Sequence, residues 1–128
     1  MGKDEYKKSL YAFIERALAT SVAARREGLL ALESSLDAEK VAGRDIFDYG
    51  MRFVVDGTGY EFIDKILSNI IMQEKDELRL VLKTVQKEAV RAIQQGLNPR
   101  MIVYLLNSYT DIPLSDPFFK RIIEDDCI

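Results

Sequence analysis

The chain of 128 residues contains no histidine and no tryptophan, and its single cysteine is Cys127. Without histidine, the side chain that titrates near neutral pH and the commonest ligand of zinc, iron and copper are both missing. A Ser-His-Asp or Cys-His catalytic arrangement is therefore excluded. A single cysteine forms no disulfide within the chain, which is typical of proteins from a reducing compartment. We therefore expect a cytoplasmic protein.

Glycine and proline are also scarce, with 7 and 3 residues, whereas 48% of the chain is hydrophobic and 30% is charged. So few turn-forming residues disfavour a β-sandwich or barrel, and the hydrophobic fraction is too high for a disordered chain. With a net charge of −3, we expect no affinity for nucleic acid. The longest stretch without a charge, Met101–Thr110, is about half the length that spans a bilayer. The composition predicts one helical domain over residues 1–128, without a membrane span.

The first half of the chain reads as two helices. Apolar residues recur at helical spacing from Asp4 to Leu36, which predicts one long first helix with Gly28 as a weak point. A polar connection, Asp37–Gly43, then leads to a shorter helix over Arg44–Val55.

A third helix is predicted from Tyr60 to Gln95, with Thr58 and Glu61 in the pattern of a capping box at its start. At 1.5 Å per residue this helix is about 54 Å long, more than the diameter of about 36 Å expected for a compact domain of this size. The polar segment Gln73–Glu77 interrupts the apolar stripe. Either the helix breaks at this segment, or the molecule is elongated.

The C-terminal quarter carries two strong helix-start signals. Gly96 is placed to end the third helix, and the pairs Asn98-Pro99 and Asp116-Pro117 each combine an N-cap residue with a proline in the first turn. They predict a fourth helix to Asn107 and a fifth through Glu124. The sequence thus predicts an all-α fold of about five helices, in which two long helices pack together, a short helix lies between them, and residues 96–128 form a soluble helical cap.

Two glutamates suggest a first site. Glu74 and Glu77 lie one turn apart on the predicted third helix, and such an ExxE pair holds Mg²⁺ in helical nucleotide hydrolases. A complete site needs a second acidic pair, for which Glu88 and the segment Glu124–Asp126 are the nearest residues. The competing interpretation is an ordinary solvated surface, the usual place for glutamate.

A row of cations follows the same helix. It can dock an acidic partner or lipid head groups, or it is a solvated face that pairs with Glu124–Asp126. We call it the basic row; it consists of Lys75, Arg79, Lys83, Lys87 and Arg91.

Arg25 and Glu33 stand out because neither has an opposite charge three or four residues away. On one continuous helix they are about 12 Å apart along the axis, too far to bridge each other. Both charges are therefore available to a partner across an interface, unless they are merely structural.

The same residues are part of a segment that resembles a known protein family. The segments Arg25–Glu33 (RREGLLALE) and Val54–Thr58 (VVDGT), followed by Ile66-Leu67, resemble the cytoplasmic domain of motility protein A (MotA), the stator subunit of the flagellar motor. The similarity covers about residues 15–80. In that family, a basic and an acidic residue of the first segment meet complementary charges on the rotor switch protein. The resemblance implies these roles for Arg25 and Glu33.

The resemblance implies a non-enzymatic protein–protein interaction domain, with no catalytic residue, metal or cofactor, and with Arg26 and Glu27 flanking the two contact charges. Its implied partners are the rotor switch protein or stator subunits. The family's membrane helices are missing here, so the chain is not expected to conduct ions. Two alternatives stay open: a small Mg²⁺-dependent nucleotide hydrolase that uses Glu74 and Glu77, and a helical scaffold that forms homo-oligomers through a projecting part of the third helix.

Overall fold

The computed structural model describes residues 1–126, and of Asp125 and Asp126 it describes only the backbone. Throughout this part of the chain the regular elements are helices, in agreement with the predicted all-α class. The predicted number of about five helices is too low, because two predicted helices are interrupted. In chain order the elements are α1 (Lys3–Glu27), a 3-10 helix (Leu29–Ser35), α2 (Ala38–Ala42), α3 (Ile46–Val55), α4 (Tyr60–Ile71), α5 (Glu77–Gln95), α6 (Pro99–Asn107), α7 (Pro117–Arg121) and a π-helical turn (Ile122–Asp126).

Gly28 ends the first helix, so the prediction of one helix from Asp4 to Leu36 is wrong. Its φ of 89° and ψ of 163° lie in a region that is almost restricted to glycine. The N–H of Gly28 still donates to the carbonyl of Ala24 at 2.9 Å, but the chain then leaves the axis of α1. It continues as the 3-10 helix, which therefore does not extend the axis of α1.

The segment predicted as a polar connection, Asp37–Gly43, contains the short helix α2. The carboxylate of Asp37 accepts the N–H groups of Glu39 and Lys40, at 2.9 and 3.3 Å, and so caps the first turn. This local side-chain cap explains why so polar a sequence is helical.

The long third helix breaks at the predicted place. α4 ends at Ile71, and α5 begins at Glu77 after Asp76, whose carboxylate accepts the N–H of Arg79 at 2.9 Å. α4 packs against α5, so the break makes the molecule compact. The projecting helix that the scaffold alternative requires is therefore absent from residues 60–95.

The predicted capping box does not form at the start of α4. Gly59 is the N-cap residue and contributes no side-chain hydrogen bond. The preceding turn closes through the backbone instead, since the N–H of Thr58 donates to the carbonyl of Phe53 at 3.0 Å. This turn displaces Thr58 by one position from the place where its side chain would cap the helix.

The predicted boundaries after α5 are confirmed, except for the end of the last helix. Gly96 adopts the left-handed conformation, with φ of 73°, directly after Gln95. The side chain of Asn98 accepts the N–H of Met101 at 2.9 Å, and that of Asp116 accepts the N–H of Phe118 at 3.0 Å. α6 ends at Asn107 as predicted, whereas α7 ends at Arg121 and passes into the π-helical turn.

α5 is the central helix of the fold and packs against α1, α3, α4 and α6. Its buried face meets apolar side chains from each of these helices, which form a single core. The core side chains with the least exposure and the greatest volume are Phe47, Phe119, Leu10, Ile14, Ile46, Met51, Ile63, Leu67, Ile102, Leu106, Ile122 and Val85.

Candidate protein-binding surface

The last turn of α1 presents three of the four residues that the sequence predicts as contact charges. Arg25, Arg26 and Glu27 are all exposed. Arg25 nevertheless has a partner within the fold, since its Nη1 donates to the carbonyl oxygen of Gly96 at 3.0 Å. This carbonyl lies at the C-terminal end of α5, where the helix dipole favours a cation. Arg25 therefore links α1 to α5 and is less available to a partner than its sequence neighbours imply.

Glu33, the fourth predicted residue, lies on the 3-10 helix beyond Gly28. Its Oε1 is 3.5 Å from Nη2 of Arg52, and 63% of its side chain is exposed. Arg52 also pairs with Asp56, at 2.7 Å. Hydrogen bonding to Asp56 is the largest cause that raises the pKa of Arg52, with a smaller contribution from Glu33. Glu33 thus has an opposite charge nearby, but α3 supplies it.

The structure does not place Arg25 and Glu33 on one helix. Arg25 turns to the end of α5, while Glu33 turns to α3. The axial separation expected for one continuous helix therefore does not apply. Between them lies Leu30, an apolar side chain that is 74% exposed.

Arg26 and Glu27 stand at one end of a groove of about 540 Å³ that runs along α1. One face of α1 supplies the floor, over about three helical turns or 18 Å. The far end is closed by an ion pair between Glu15 and Arg121, at 2.8 Å. The apolar floor and far wall consist of Leu18, Ala19, Val22, Ala23, Pro99 and Ile122.

Arg26 and Glu27 differ from the other two predicted contact residues in having no partner. In the described part of the chain, neither makes an ion pair or a side-chain hydrogen bond. The sequence predicts that Arg25 and Glu33 are the charges available to a partner, but in the structure both have contacts within the fold, and the charges without one among the described side chains are Arg26 and Glu27. The distinction depends on contacts with α3 and α5, which are distant in sequence.

A buried ion pair fixes the 3-10 helix relative to the rest of the molecule. Nη1 of Arg16 on α1 lies 2.8 Å from Oδ1 of Asp48 on α3, and the side chain of Asp48 is fully buried. Oδ2 of Asp48 accepts the N–H of Asp37 at 3.1 Å, directly after the 3-10 helix. Burial by itself raises the pKa of Asp48, but the close contact with the guanidinium of Arg16 and the hydrogen bond from the Asp37 N–H outweigh it and lower the pKa.

Neither Arg16 nor Asp48 is among the residues predicted from the sequence. The available signal is Asp48 itself, a carboxylate between Phe47 and Met51 in the apolar stripe of α3. A buried carboxylate requires a cation or hydrogen-bond donors. The sequence does not identify Arg16 as that cation, since it lies 32 positions earlier, in another helix.

The predicted ExxE pair is not a metal site. Glu74 lies in the turn before α5 and Glu77 is the first residue of α5, so the two do not share a helix. Oε1 of Glu74 pairs with Lys83 at 2.8 Å, and Oε2 accepts the N–H groups of Lys75 and Asp76 at 3.0 and 3.1 Å. The bond from Lys83 is the main cause that lowers the pKa of Glu74. Among the described residues no group of three or more acidic or cysteine side chains is arranged to hold a metal ion.

The basic row is divided among separate partners. Lys83 pairs with Glu74, and Lys87 pairs with Asp64 at 2.8 Å. The guanidinium of Arg91 lies over the ring of Tyr60, 5.3 Å from the ring centroid. Two of the five cations, Lys83 and Lys87, are therefore neutralised within the fold, by acidic residues of the preceding turn and of α4. The predicted pairing with Glu124–Asp126 falls largely outside the described side chains.

No protein-family model, no curated protein and no solved structure matches this chain. Within residues 1–126, no helix combines the length and the apolar character needed to cross a membrane. Functional inference therefore depends on the chain's own residues and contacts.

Proposed function

We propose that this chain is a non-enzymatic protein-interaction domain that binds a partner helix in the groove along α1. The observation that supports this function best is the state of Arg26 and Glu27, which are exposed and unpaired at one end of an apolar groove. The other two charges of the segment, Arg25 and Glu33, have partners inside the fold. Two adjacent charges without one are therefore suited to contacts with another protein.

The shape and chemistry of the groove fit an amphipathic helix. The apolar part of its floor, from Leu18 to Ala23, extends over about one and a half helical turns, and charged residues border it at both ends. This length accepts a few side chains from one face of a bound helix. Arg26 and Glu27 carry opposite charges, so a partner with complementary charges binds in one direction along the groove. Leu30, which follows Glu27 by three residues on the 3-10 helix, is an exposed apolar side chain but not part of the groove lining.

The resemblance to the cytoplasmic domain of motility protein A indicates which partner to test first. Arg26 and Glu27 lie inside the RREGLLALE segment on which the resemblance depends. We propose the rotor switch protein as the partner, and stator subunits as the second choice. Arg25 and Glu33 do not line the groove, and each already has a partner within the fold, so we expect them to contribute less.

A binding titration tests this proposal. The wild-type chain and the double reversal Arg26→Glu/Glu27→Lys are titrated with the rotor switch protein of the same organism, at low and high salt. We expect salt-sensitive binding that the reversal weakens about tenfold or more, as for charge pairs at other interfaces. Net charge does not change in this variant.

The matched control is the reversal Glu61→Lys/Lys65→Glu on α4. These two residues are also exposed, carry opposite charges and have no ion-pair partner among the described side chains. The control is expected to bind like the wild type. Equal binding by the Arg26→Glu/Glu27→Lys variant would contradict the assigned surface. Absence of binding to the rotor protein at any salt concentration would reject that partner and direct the titration to stator subunits.

A further inference from the structure

A second charged cleft, separate from the groove, lies between the turn that joins α2 to α3 and the N-terminal half of α5. Its volume is about 330 Å³. Three of its lining side chains are cationic and one is anionic, namely Asp45. The cations are Arg44, Arg79 and Lys83, and the polar side chain of Gln86 lies beside them.

The turn before α3 directs Arg44 to this cleft. Arg44 has a φ of 59° and is the one residue other than glycine with a positive φ among residues 1–126. Hydrogen bonds on both sides hold the turn: the N–H of Arg44 donates to Val41 at 3.0 Å, and that of Asp45 donates to Lys40 at 2.9 Å. The side chain of Arg44 is exposed there.

α5 supplies the opposite side of the cleft. Arg79, Lys83 and Gln86 lie on one face of this helix, because they are separated by four and three residues. The charge of Lys83 is already balanced by Glu74, at 2.8 Å. The excess positive charge therefore comes from the two arginines.

Neither Arg44 nor Arg79 has a carboxylate within ion-pair distance of its guanidinium, as far as the described side chains show. Asp45, the anionic residue in the lining, keeps its charge and offsets part of theirs, but it pairs with neither guanidinium: its carboxylate accepts the N–H of Asp48 at 3.3 Å and caps α3. The N-terminal end of α3 adds its positive partial charge to the same cleft, where Ile46 is part of the lining.

We propose that this cleft binds a phosphate group of a small molecule or a lipid. The planar guanidinium donates two parallel hydrogen bonds to phosphate oxygens, and the two arginines supply the positive charge that attracts the phosphate. In this proposal the residues of the basic row have two different roles. Lys87 and Arg91 make contacts within the fold, whereas Arg79 binds the ligand.

NMR titration of the full chain tests the proposal. Inorganic phosphate and pyrophosphate are added at constant ionic strength, with sodium chloride as the reference. We expect the backbone amides of Arg44, Ile46, Arg79 and Gln86 to shift with saturation. The variant Arg44→Gln/Arg79→Gln should weaken this binding about tenfold or more, since it removes both charged donors.

The control variant Lys8→Gln/Lys65→Gln loses the same charge at exposed positions on α1 and α4, and it should bind phosphate like the wild type. Circular dichroism establishes that both variants remain folded. A third arm measures sedimentation with phosphatidylglycerol vesicles: binding that the arginine variant loses identifies a lipid head group as the source of the phosphate. Equal shifts in both variants, or shifts no larger than those with chloride together with no vesicle binding, would overturn the proposal. Neither result bears on the groove along α1.

Discussion

Arg16 and Asp48 connect three parts of the fold through one carboxylate. Nη1 of Arg16 lies 2.8 Å from Oδ1 of Asp48, and the aromatic ring of Phe47 lies 4.9 Å from the same guanidinium. The other oxygen of Asp48 accepts the backbone N–H of Asp37, so α1, α3 and the start of α2 meet at this residue. Asp37 follows the 3-10 helix that carries Glu33 by two residues, so the hydrogen bond from its N–H holds the C-terminal end of that helix in place.

Removal of the cation should therefore destabilise the whole domain. The variant Arg16→Ala leaves the buried carboxylate of Asp48 without its ion-pair partner, which costs about 3 kcal/mol or more of unfolding free energy. Urea denaturation followed by circular dichroism measures the change. The matched control is Lys8→Ala, an exposed cation on the same helix, which should change the free energy by less than about 0.5 kcal/mol. Similar losses in the two variants would contradict the assigned role of the ion pair.

The same ion pair predicts a dependence of stability on acid pH. Because the pKa of Asp48 is lower in the folded state than in the unfolded state, its contribution is present above the unfolded value of about 3.9. This contribution is lost as the pH falls through the folded value. The variant Asp48→Asn cannot titrate, so its unfolding free energy should decrease less than that of the wild type between about pH 5 and pH 2. Parallel curves for the two proteins would show that Asp48 is not the group responsible.

Gly28 should resist substitution although the space around it is empty. A Cβ atom added there meets nothing within 4 Å, so any loss of stability comes from the backbone conformation, with φ of 89°. We expect Gly28→Ala to cost about 1–3 kcal/mol, because this region of φ and ψ strains every residue with a Cβ. The control Ser34→Ala changes an exposed residue of the adjoining 3-10 helix and should be nearly neutral. Thermal unfolding of both variants measures the difference.

Local signals in the sequence predict most helix boundaries. The pairs Asn98-Pro99 and Asp116-Pro117, and Gly96 before them, act within a few residues of the boundary, so a reader of the sequence finds them directly. The polar segment Gln73–Glu77 likewise marks the break between α4 and α5. The failure at Gly28 has a different cause: the apolar spacing continues beyond it, and Leu32 is indeed buried, but on a 3-10 helix in a new direction.

The state of each candidate charge depends on tertiary contacts. Arg25 bonds to a carbonyl 71 positions away, and Arg52 approaches Glu33 from α3. Neither contact has a signature within a helical turn of sequence. The pattern of charges in the RREGLLALE segment therefore predicts candidate contact residues, whereas the contacts in the structure show that Arg26 and Glu27 are the members without a partner among the described side chains.

The pair Glu33–Arg52 should contribute little to stability. Its atoms are 3.5 Å apart and most of the Glu33 side chain faces water, where solvent screens the attraction. A double-mutant cycle with Glu33→Gln and Arg52→Gln should give only a small coupling energy, which decreases further as salt is added. Arg52→Gln alone is expected to cost somewhat more, since it also removes the bond to Asp56. A larger coupling energy would mean that the ion pair with Arg52 holds Glu33 and the 3-10 helix in place. Glu33 would then not be available to a partner protein.

The hydrogen bond of the Tyr11 hydroxyl should stabilise the folded state up to a higher pH than is usual for a tyrosine. Its hydroxyl donates to Oδ2 of Asp116 at 3.0 Å, and its ring stacks on that of Phe118, with centroids 4.1 Å apart. Burial, together with the hydrogen bond to the carboxylate and its negative charge, raises the pKa of Tyr11 to about 12. Since the folded pKa exceeds the unfolded value of about 10, this contribution is complete below pH 10 and is lost as the pH rises through the folded value.

The variant Tyr11→Phe keeps the stacked ring and removes the hydroxyl group. We expect it to lose about 1 kcal/mol of unfolding free energy at neutral pH, the usual contribution of one hydrogen bond to a partly buried acceptor. The difference between wild type and variant should then shrink between about pH 10 and pH 12, because ionisation removes the same hydrogen bond from the wild type. Subtracting the tyrosinate absorbance of the variant from that of the wild type isolates the titration of Tyr11. A constant stability difference across this pH range, or a difference titration centred near the unfolded value, would show that the hydroxyl of Tyr11 does not bind Asp116 in solution.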